Sequence, residues 1–225
     1  IPADSTVFND YKSLIANAEI DIIFISLPNQ FAAEATSLSL KKGLHVFCEK
    51  PPARTYHELL AVQNEALKFP ELKLMYGFNH RFHPSILKAK DLVDNNKIGH
   101  ILHIHGHYGH GGRPGMEKEW RMNPDLSGGG ELLDQGVHLI DLALLFKGIP
   151  NKVFGTTGQL AWKSKVEDSA SFMLLYEDNI NLLFSVGWIY WKNKFEFNIY
   201  GSNGFPVSYT HLLSHETLMN LVCRL

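Results

Sequence analysis

A chain of 225 residues is long enough for one large domain or two small ones with a buried core. With 45% hydrophobic and 20% charged residues and a net charge of −2, the composition excludes a disordered chain and leaves no basic footprint for nucleic acid. No apolar run approaches the roughly 20 residues that span a bilayer. Residues Ile1 to Thr6 lack the basic flank and apolar stretch of a signal peptide. The two cysteines, Cys48 and Cys223, suit a reducing cytosol rather than a disulfide framework. The expectation is a cytoplasmic protein with no membrane or nucleic-acid partner, and 12 histidines point towards a polar site.

In chain order, Asp10 to Asn17 reads as a helix, followed by a β-branched run from Ile20 to Leu27. That run is apolar on both faces, as a central parallel strand should be, and Pro28-Asn29 stops it. Gln30 to Lys42 is a helix closed by Gly43, and Leu44 to Cys48 is a second short strand ended by Glu49-Lys50-Pro51. Thr55 opens a helix with Glu58 three residues on, a capping box, and Glu71 to Gly77 is a third strand. Alternating strands and helices with short links give the doubly wound α/β pattern of a partial Rossmann domain over residues 1–77.

From Phe78 the character changes to α+β. A helix carrying Ile86, Leu87 and Leu92 precedes a strand from Ile101 to Tyr108, a glycine-rich loop from Gly109 to Gly115, and Trp120-Arg121. A second helix fills Glu131 to Phe146, with Leu133, Val137, Ile140 and Leu144 as its core stripe. Strand-like runs follow at 152–158, 169–176, 180–188 and 194–201, with a hairpin signal at Asp178-Asn179. Residues 78–204 are thus expected to form an α/β domain with an open, mainly antiparallel sheet. The tail, 205–225, reads as unrelated sequence.

The chemistry concentrates in two places. Asp134 and His138 stand four residues apart after three glycines, so on a helix they share a face beside the apolar stripe. An imidazole near its ordinary pKa can exchange protons at neutral pH, so the pair reads as an acid/base couple or as a solvated helix edge. Lys50 ends a parallel strand, the edge where open α/β sheets bind ligands. There it can polarise a hydroxyl or simply pair with Glu49.

Glu-Lys50-Pro at a strand end, then Gly-Phe-Asn79-His-Arg81-Phe, then the glycine run leading into Asp134, His138 and Asp141, resembles the glucose–fructose oxidoreductase/inositol dehydrogenase family (Gfo/Idh/MocA). The resemblance extends from residue 5 to about 204 and takes in Asp21 to Asn29 and Val166 to Ala170. It implies a dinucleotide-binding domain followed by an α/β domain whose open sheet makes a homo-oligomer interface. It implies an NAD(P)-dependent oxidation of a secondary hydroxyl on a sugar, cyclitol or nucleotide sugar. Lys50 would hydrogen-bond the reacting hydroxyl, His138 would be its general base, and Asp134 would hold the substrate and tune His138. Leu27, Pro28, Asn29, Glu49 and Lys50 would border NAD or NADP. Asn79, Arg81, Arg113, Trp120 and Arg121 would face the substrate, with Trp188 among the substrate-side aromatics.

The chain carries no Gly-x-Gly-x-x-Gly, and residue 5 already resembles the approach to the family's fourth strand. On the order of 50–60 residues, enough for a βαβ unit and more, are therefore expected upstream, and the chain by itself is expected to bind cofactor poorly. Ala32 occupies a place where the family often has a histidine. His103, His105 and His107 alternate and so share one strand face; without a carboxylate at fixed spacing they read as a polar face or substrate contact, and no metal is expected. Cys48 reads as a buried strand residue rather than a nucleophile. A sugar- or dinucleotide-sensing regulator, and a glycosidase or hydro-lyase that recycles its NAD, are the rival functions. Net reduction of the cofactor separates them from a dehydrogenase.

Overall fold

The computed structural model describes residues 5–211 and 218–224, which divide into two compact units. One runs to Gly77 and includes Asp125–Gly128; the other comprises Phe78–Pro124 and the chain from Gly129.

In the first unit, α1 (Tyr11–Asn17) begins where the Asp10 carboxylate accepts the Ser13 N–H, satisfying one of the donors a helix start leaves open. β1 (Ile22–Ile25), β2 (His45–Cys48) and β3 (Leu74–Tyr76) pair in parallel in that order, with Ile25 beside Cys48 and Cys48 beside Tyr76. α2 (Asn29–Lys41) and α3 (Tyr56–Ala66) make the crossovers. Gly43, at φ +87°, supplies the left-handed residue that turns the chain out of α2 and into β2. Ile23 and Ile25 join Ala35, Leu40, Val46 and Cys48 in one core.

Two local expectations change. β1 lies at the edge of the described sheet and buries only alternate residues, leaving Phe24 75% exposed beside Phe47 of β2, at 5.5 Å between ring centroids. At α3, the Thr55 hydroxyl does accept the Glu58 N–H at 3.2 Å. The Glu58 carboxylate, however, reaches past Thr55 to accept the Arg54 N–H at 2.9 Å and to bind the Arg54 guanidinium, so the reciprocal half of the capping box is shifted by one residue.

The second unit is a seven-stranded sheet with helices on one face. Its strands are β4 (Ile101–Gly109), β5 (Lys152–Gly158), β6 (Ser169–Leu175), β7 (Asn181–Gly187), β8 (Lys194–Gly201), β9 (Phe205–His211) and β10 (Leu218–Arg224), in the spatial order β10-β9-β8-β4-β7-β6-β5. Every pairing is antiparallel except β4 with β7. The segment after Gly204 thus adds two strands, and the Ser208 hydroxyl lies 2.8 Å from that of Ser85; residues 212–217 fall outside the described residues. The β6–β7 hairpin turns at Asn179, whose φ of +60° is the left-handed conformation asparagine tolerates.

α4 (Pro84–Asp94) and α6 (Val137–Lys147) pack on one sheet face, where Ile86, Ile104, Leu139, Leu142, Phe184 and Phe197 form the core. The other face carries His103, His105 and His107 down the central strand. The buried stripe of α6 is not the expected one. Leu139, Leu142, Ala143 and Phe146 are inside, Leu133, Val137 and Ile140 are half-buried, and Leu144 is exposed. The helix is apolar nearly all round, so periodicity does not single out a face.

Candidate active site

In the first unit, parallel pairing puts the carboxyl ends of β1, β2 and β3 along one edge, bringing Leu27, Pro28 and Asn29 together with Glu49 and Lys50. The Asn29 amide is buried and donates to the Ser127 carbonyl at 2.8 Å, inside the short helix α5 (Pro124–Ser127), so it ties that loop to the start of α2. The exposed Glu49 carboxylate accepts the Lys50 N–H at 3.3 Å and lies over Gly77, where an added Cβ would sit 2.9 Å from its oxygen. Lys50 is half-buried, and its peptide bond to Pro51 is cis. Ala32 is in the core at 3% exposure. Burial pushes the Cys48 thiol up to about 11, so at neutral pH it is an unreactive thiol.

In the second unit, the expected α-helix over Glu131–Phe146 opens instead with a π-helical turn, Leu132–Gly136, before α6 proper. Just upstream, the chain is clamped to a distant segment. Gly130 passes so close to Glu167 that a Cβ would fall 1.8 Å from the Glu167 carbonyl oxygen, while the Glu131 N–H donates to that carbonyl and the Leu132 N–H to the Glu167 carboxylate. This clamp needs glycine and fixes where the helix starts. π-helical turns are rare and concentrate at functional sites. Asp134 lies within this turn and His138 just beyond it, in α6. Asp134 lies 3.6 Å from the Arg121 guanidinium, while His138 is 95% removed from solvent (5% exposed). Of the two residues, His138 is buried rather than on a solvated flank, and Asp134 is half-buried.

Three rings surround the His138 imidazole: His80 at 4.1 Å between centroids, Tyr108 at 5.9 Å and Phe78 at 6.2 Å. Phe195 packs in turn against His80, tilted at 5.0 Å, and edge-on against Tyr108 at 5.2 Å. Burial pushes the Tyr108 phenol up to about 12, so it is a neutral donor at physiological pH. Sequence reasoning missed His80, Tyr108 and Phe195 as site residues. The only available signal was that His80 stands between Asn79 and Arg81, both already singled out.

Arg81 holds Asp141 with two parallel hydrogen bonds, at 2.7 and 2.6 Å, so the 3-10 turn Asn79–Phe82 is pinned to α6. That commits its fork to a carboxylate of the protein. Asn79 is exposed and its side-chain oxygen lies 3.1 Å from Nδ1 of His80. Arg113 and Arg121 both reach Glu119, at 2.7 and 3.4 Å, and Arg121 also stacks on Trp120 at 4.7 Å. His110, just after β4, accepts the Gly112 N–H on Nδ1 at 2.9 Å, which leaves Nε2 as its donor; burial lowers its pKa, with Asp134 opposing. Trp188 is not at this surface: at 1% exposure it is core, packed with Met116, Met122 and Val166. Asp168, fully buried, accepts the N–H groups of Leu160, Ala161 and Trp162, so within the Val166–Ala170 segment it is a loop anchor.

The histidines on β4 have ring centroids 6.5 Å (His103–His105) and 4.6 Å (His105–His107) apart, and His103 Nδ1 lies 2.7 Å from the Asn181 carbonyl. Among the described residues no group of three His, Cys, Asp or Glu is arranged to hold a metal ion. No helix among them is long and apolar enough to cross a membrane.

Two family models match the chain: "Oxidoreductase family, NAD-binding Rossmann fold" over residues 2–78 and "GFO/IDH/MocA C-terminal domain" over residues 86–205. D-xylose 1-dehydrogenase (NADP(+)) 2 of Haloferax volcanii is 32% identical over 152 residues, 68% of this chain and 46% of that protein. D-glucoside 3-dehydrogenase of Escherichia coli is 32% identical over 65% of this chain and 41% of its own length. A levoglucosan dehydrogenase solved with NADH and levoglucosan superposes with a TM-score of 0.83 at 24% identity, over 96% of this chain and 64% of that one, which is a likeness of fold. The chain thus spans less than half the length of these curated relatives.

Proposed function

Because the chain belongs to the GFO/IDH/MocA oxidoreductase family, we propose that the intact protein is an NAD(P)-dependent dehydrogenase acting on a secondary hydroxyl of a sugar or related polyol. The observation that carries this reading is the buried His138 imidazole at the end of a π-helical turn. Oxidising an alcohol needs a base for the O–H proton and a hydride acceptor over the C–H bond. The nicotinamide, when bound, supplies the acceptor. His138 takes the hydroxyl proton. Lys50 donates a hydrogen bond to the same oxygen and stabilises the alkoxide as it forms. Asp134, steadied by Arg121, accepts a hydrogen bond from a neighbouring hydroxyl. Leu27, Pro28, Asn29 and Glu49 stand together at the carboxyl edge of the first unit's strands, which suits the nicotinamide end of a dinucleotide. Asn79, Arg113 and Trp120 complete the substrate side, while Arg81 acts there through Asp141. The names of the relatives, which include xylose, glucoside, levoglucosan and inositol dehydrogenases, support a polyol substrate.

The test is net reduction of NAD or NADP by D-xylose or a methyl glucoside, measured on the full-length protein. Lys50→Met is expected to lower kcat/KM by roughly 100-fold or more, since a charged donor to the developing alkoxide is lost. Turnover unchanged in Lys50→Met would remove that residue from the reaction, and cofactor recycling without net reduction would replace the dehydrogenase by a lyase or glycosidase.

The open sheet face supports self-association as a second element of this reading. Phe154 and Leu183 remain 55% and 40% exposed on it, and Tyr200 40%, an apolar surface of the kind that marks an interface. The expected mass in solution is that of a homo-oligomer, and Phe154→Lys should shift it towards the monomer. A monomeric wild-type protein at micromolar concentration would refute the association.

A further inference from the structure

From the His80–His138 contact we infer that His80 is a positioning residue that keeps the His138 imidazole neutral, and so able to accept a proton, in mildly acidic conditions. The inference rests on His138 being the base of the proposed reaction.

The two rings come from different elements, the 3-10 turn Asn79–Phe82 and α6, and their centroids are 4.1 Å apart with planes tilted by 46°. At that separation two imidazolium ions repel strongly, so the pair takes up its two protons in separate steps. Which ring is charged first follows from hydration. His138 is 5% exposed, whereas His80 is only half-buried and its Nδ1 faces the exposed Asn79 side chain. Burial disfavours the charged form, so the first proton goes to His80. His138 must then accept the second proton beside a positive charge, which holds it neutral to lower pH than it would reach alone.

The other groups packed around the two rings differ in charge and in hydration. β4 presents the neutral Tyr108 phenol to both rings, and β8 presents the uncharged Phe195. Glu131, just before the π-helical turn, and Asp134, within it, are both within electrostatic range of Tyr108; as anions they favour a charged imidazole rather than oppose it. Arg81, on the same turn as His80, is bound to Asp141 on α6, so those charges offset one another locally. His110, beyond the end of β4, is itself disfavoured as a cation by burial. The His80 ring lies 4.1 Å from that of His138; Lys50, which the proposed reaction puts on the same hydroxyl, is unchanged between the wild type and His80→Asn, so the difference between the two proteins reports His80.

The decisive experiment follows the histidine ring signals of the full-length protein by NMR across a pH titration, assigning His80 and His138 by their variants. In the wild type both rings should titrate in two coupled steps. In His80→Asn the curve of His138 should become a single step with its midpoint moved up by about one pH unit, and the acid limb of kcat/KM should move up with it. Should His80→Asn fail to fold, His80→Phe, which keeps a ring against Tyr108 and Phe195, is read by the same criterion. A His138 midpoint that stays or falls overturns the inference and leaves His80 as packing. A midpoint that rises while the acid limb of kcat/KM stays put upholds the coupling but removes His138 as the base, so the two failures are told apart.

Discussion

Replacing His138 by asparagine is expected to lower kcat by roughly 100- to 10,000-fold, the span that a positioned general base contributes, while the affinity for NAD(P) stays nearly unchanged. The reasoning starts from burial. With 5% of its surface exposed, the ring at position 138 is held by its neighbours, and asparagine keeps a polar amide of smaller volume in the same place. The proposed cofactor side, Leu27, Pro28, Asn29 and Glu49, belongs to the strand ends of the first unit, whereas position 138 belongs to the second. An amide does not take a proton at neutral pH, so the loss should fall on the step in which the hydroxyl is deprotonated and hydride leaves. Steady-state kinetics paired with a direct cofactor titration separate the two effects. Equal loss of turnover and of cofactor affinity would mean that position 138 shapes the whole site, and the base would have to be sought elsewhere.

Legibility followed the range of the interactions. The β1-α2-β2-α3-β3 order was readable because its signals are local: β-branched runs, Gly43 after a helix, and Thr55 before one. The place of Lys50 just past the end of β2, and a helical segment carrying Asp134 and His138, were readable for the same reason. What was not readable depends on contacts between distant segments. The π-helical turn follows the close approach of Gly130 to the Glu167 carbonyl, and no periodicity within residues 131–146 reports a neighbour from β6's approach. The buried face of α6 was misjudged because Leu139, Leu142 and Phe146 differ little in hydrophobicity from Leu133, Ile140 and Leu144; only the sheet beneath decides between them. His80 and Tyr108 are unremarkable in sequence and become site residues only when a 3-10 turn and the end of β4 close on His138. The chain after Gly204 read as unrelated, yet backbone pairing along β8 asks little of side chains and incorporates Phe205–His211 as a strand.

The Arg81–Asp141 pair should show an asymmetry that identifies its role. Asp141 is 7% exposed, and both its oxygens are taken by Arg81, whose own side chain is 38% exposed. The pairing raises the Arg81 pKa, an effect led by the hydrogen bonds to Asp141. Removing the arginine strands a carboxylate in a nearly dry place, which costs about 3–5 kcal/mol when a buried pair is broken from one side. Removing the charge from the carboxylate, as in Asp141→Asn, leaves an arginine that water can already reach, so the loss there should be nearer 1 kcal/mol. In a chain of this size the first change corresponds to a fall in Tm on the order of 10 °C and the second to a few degrees. The asymmetry carries over to function: the turn Asn79–Phe82 brings His80 to His138, and Arg81 is what fastens that turn to α6. Arg81→Ala should therefore lose activity together with stability, and an activity measured in mildly acidic buffer well below its lowered Tm should still be depressed, because His80 is no longer held in place. Equal Tm changes for Arg81→Ala and Asp141→Asn would show that Asp141 has another counter-charge. Full activity in a destabilised Arg81→Ala would show that the turn keeps its position without the bridge.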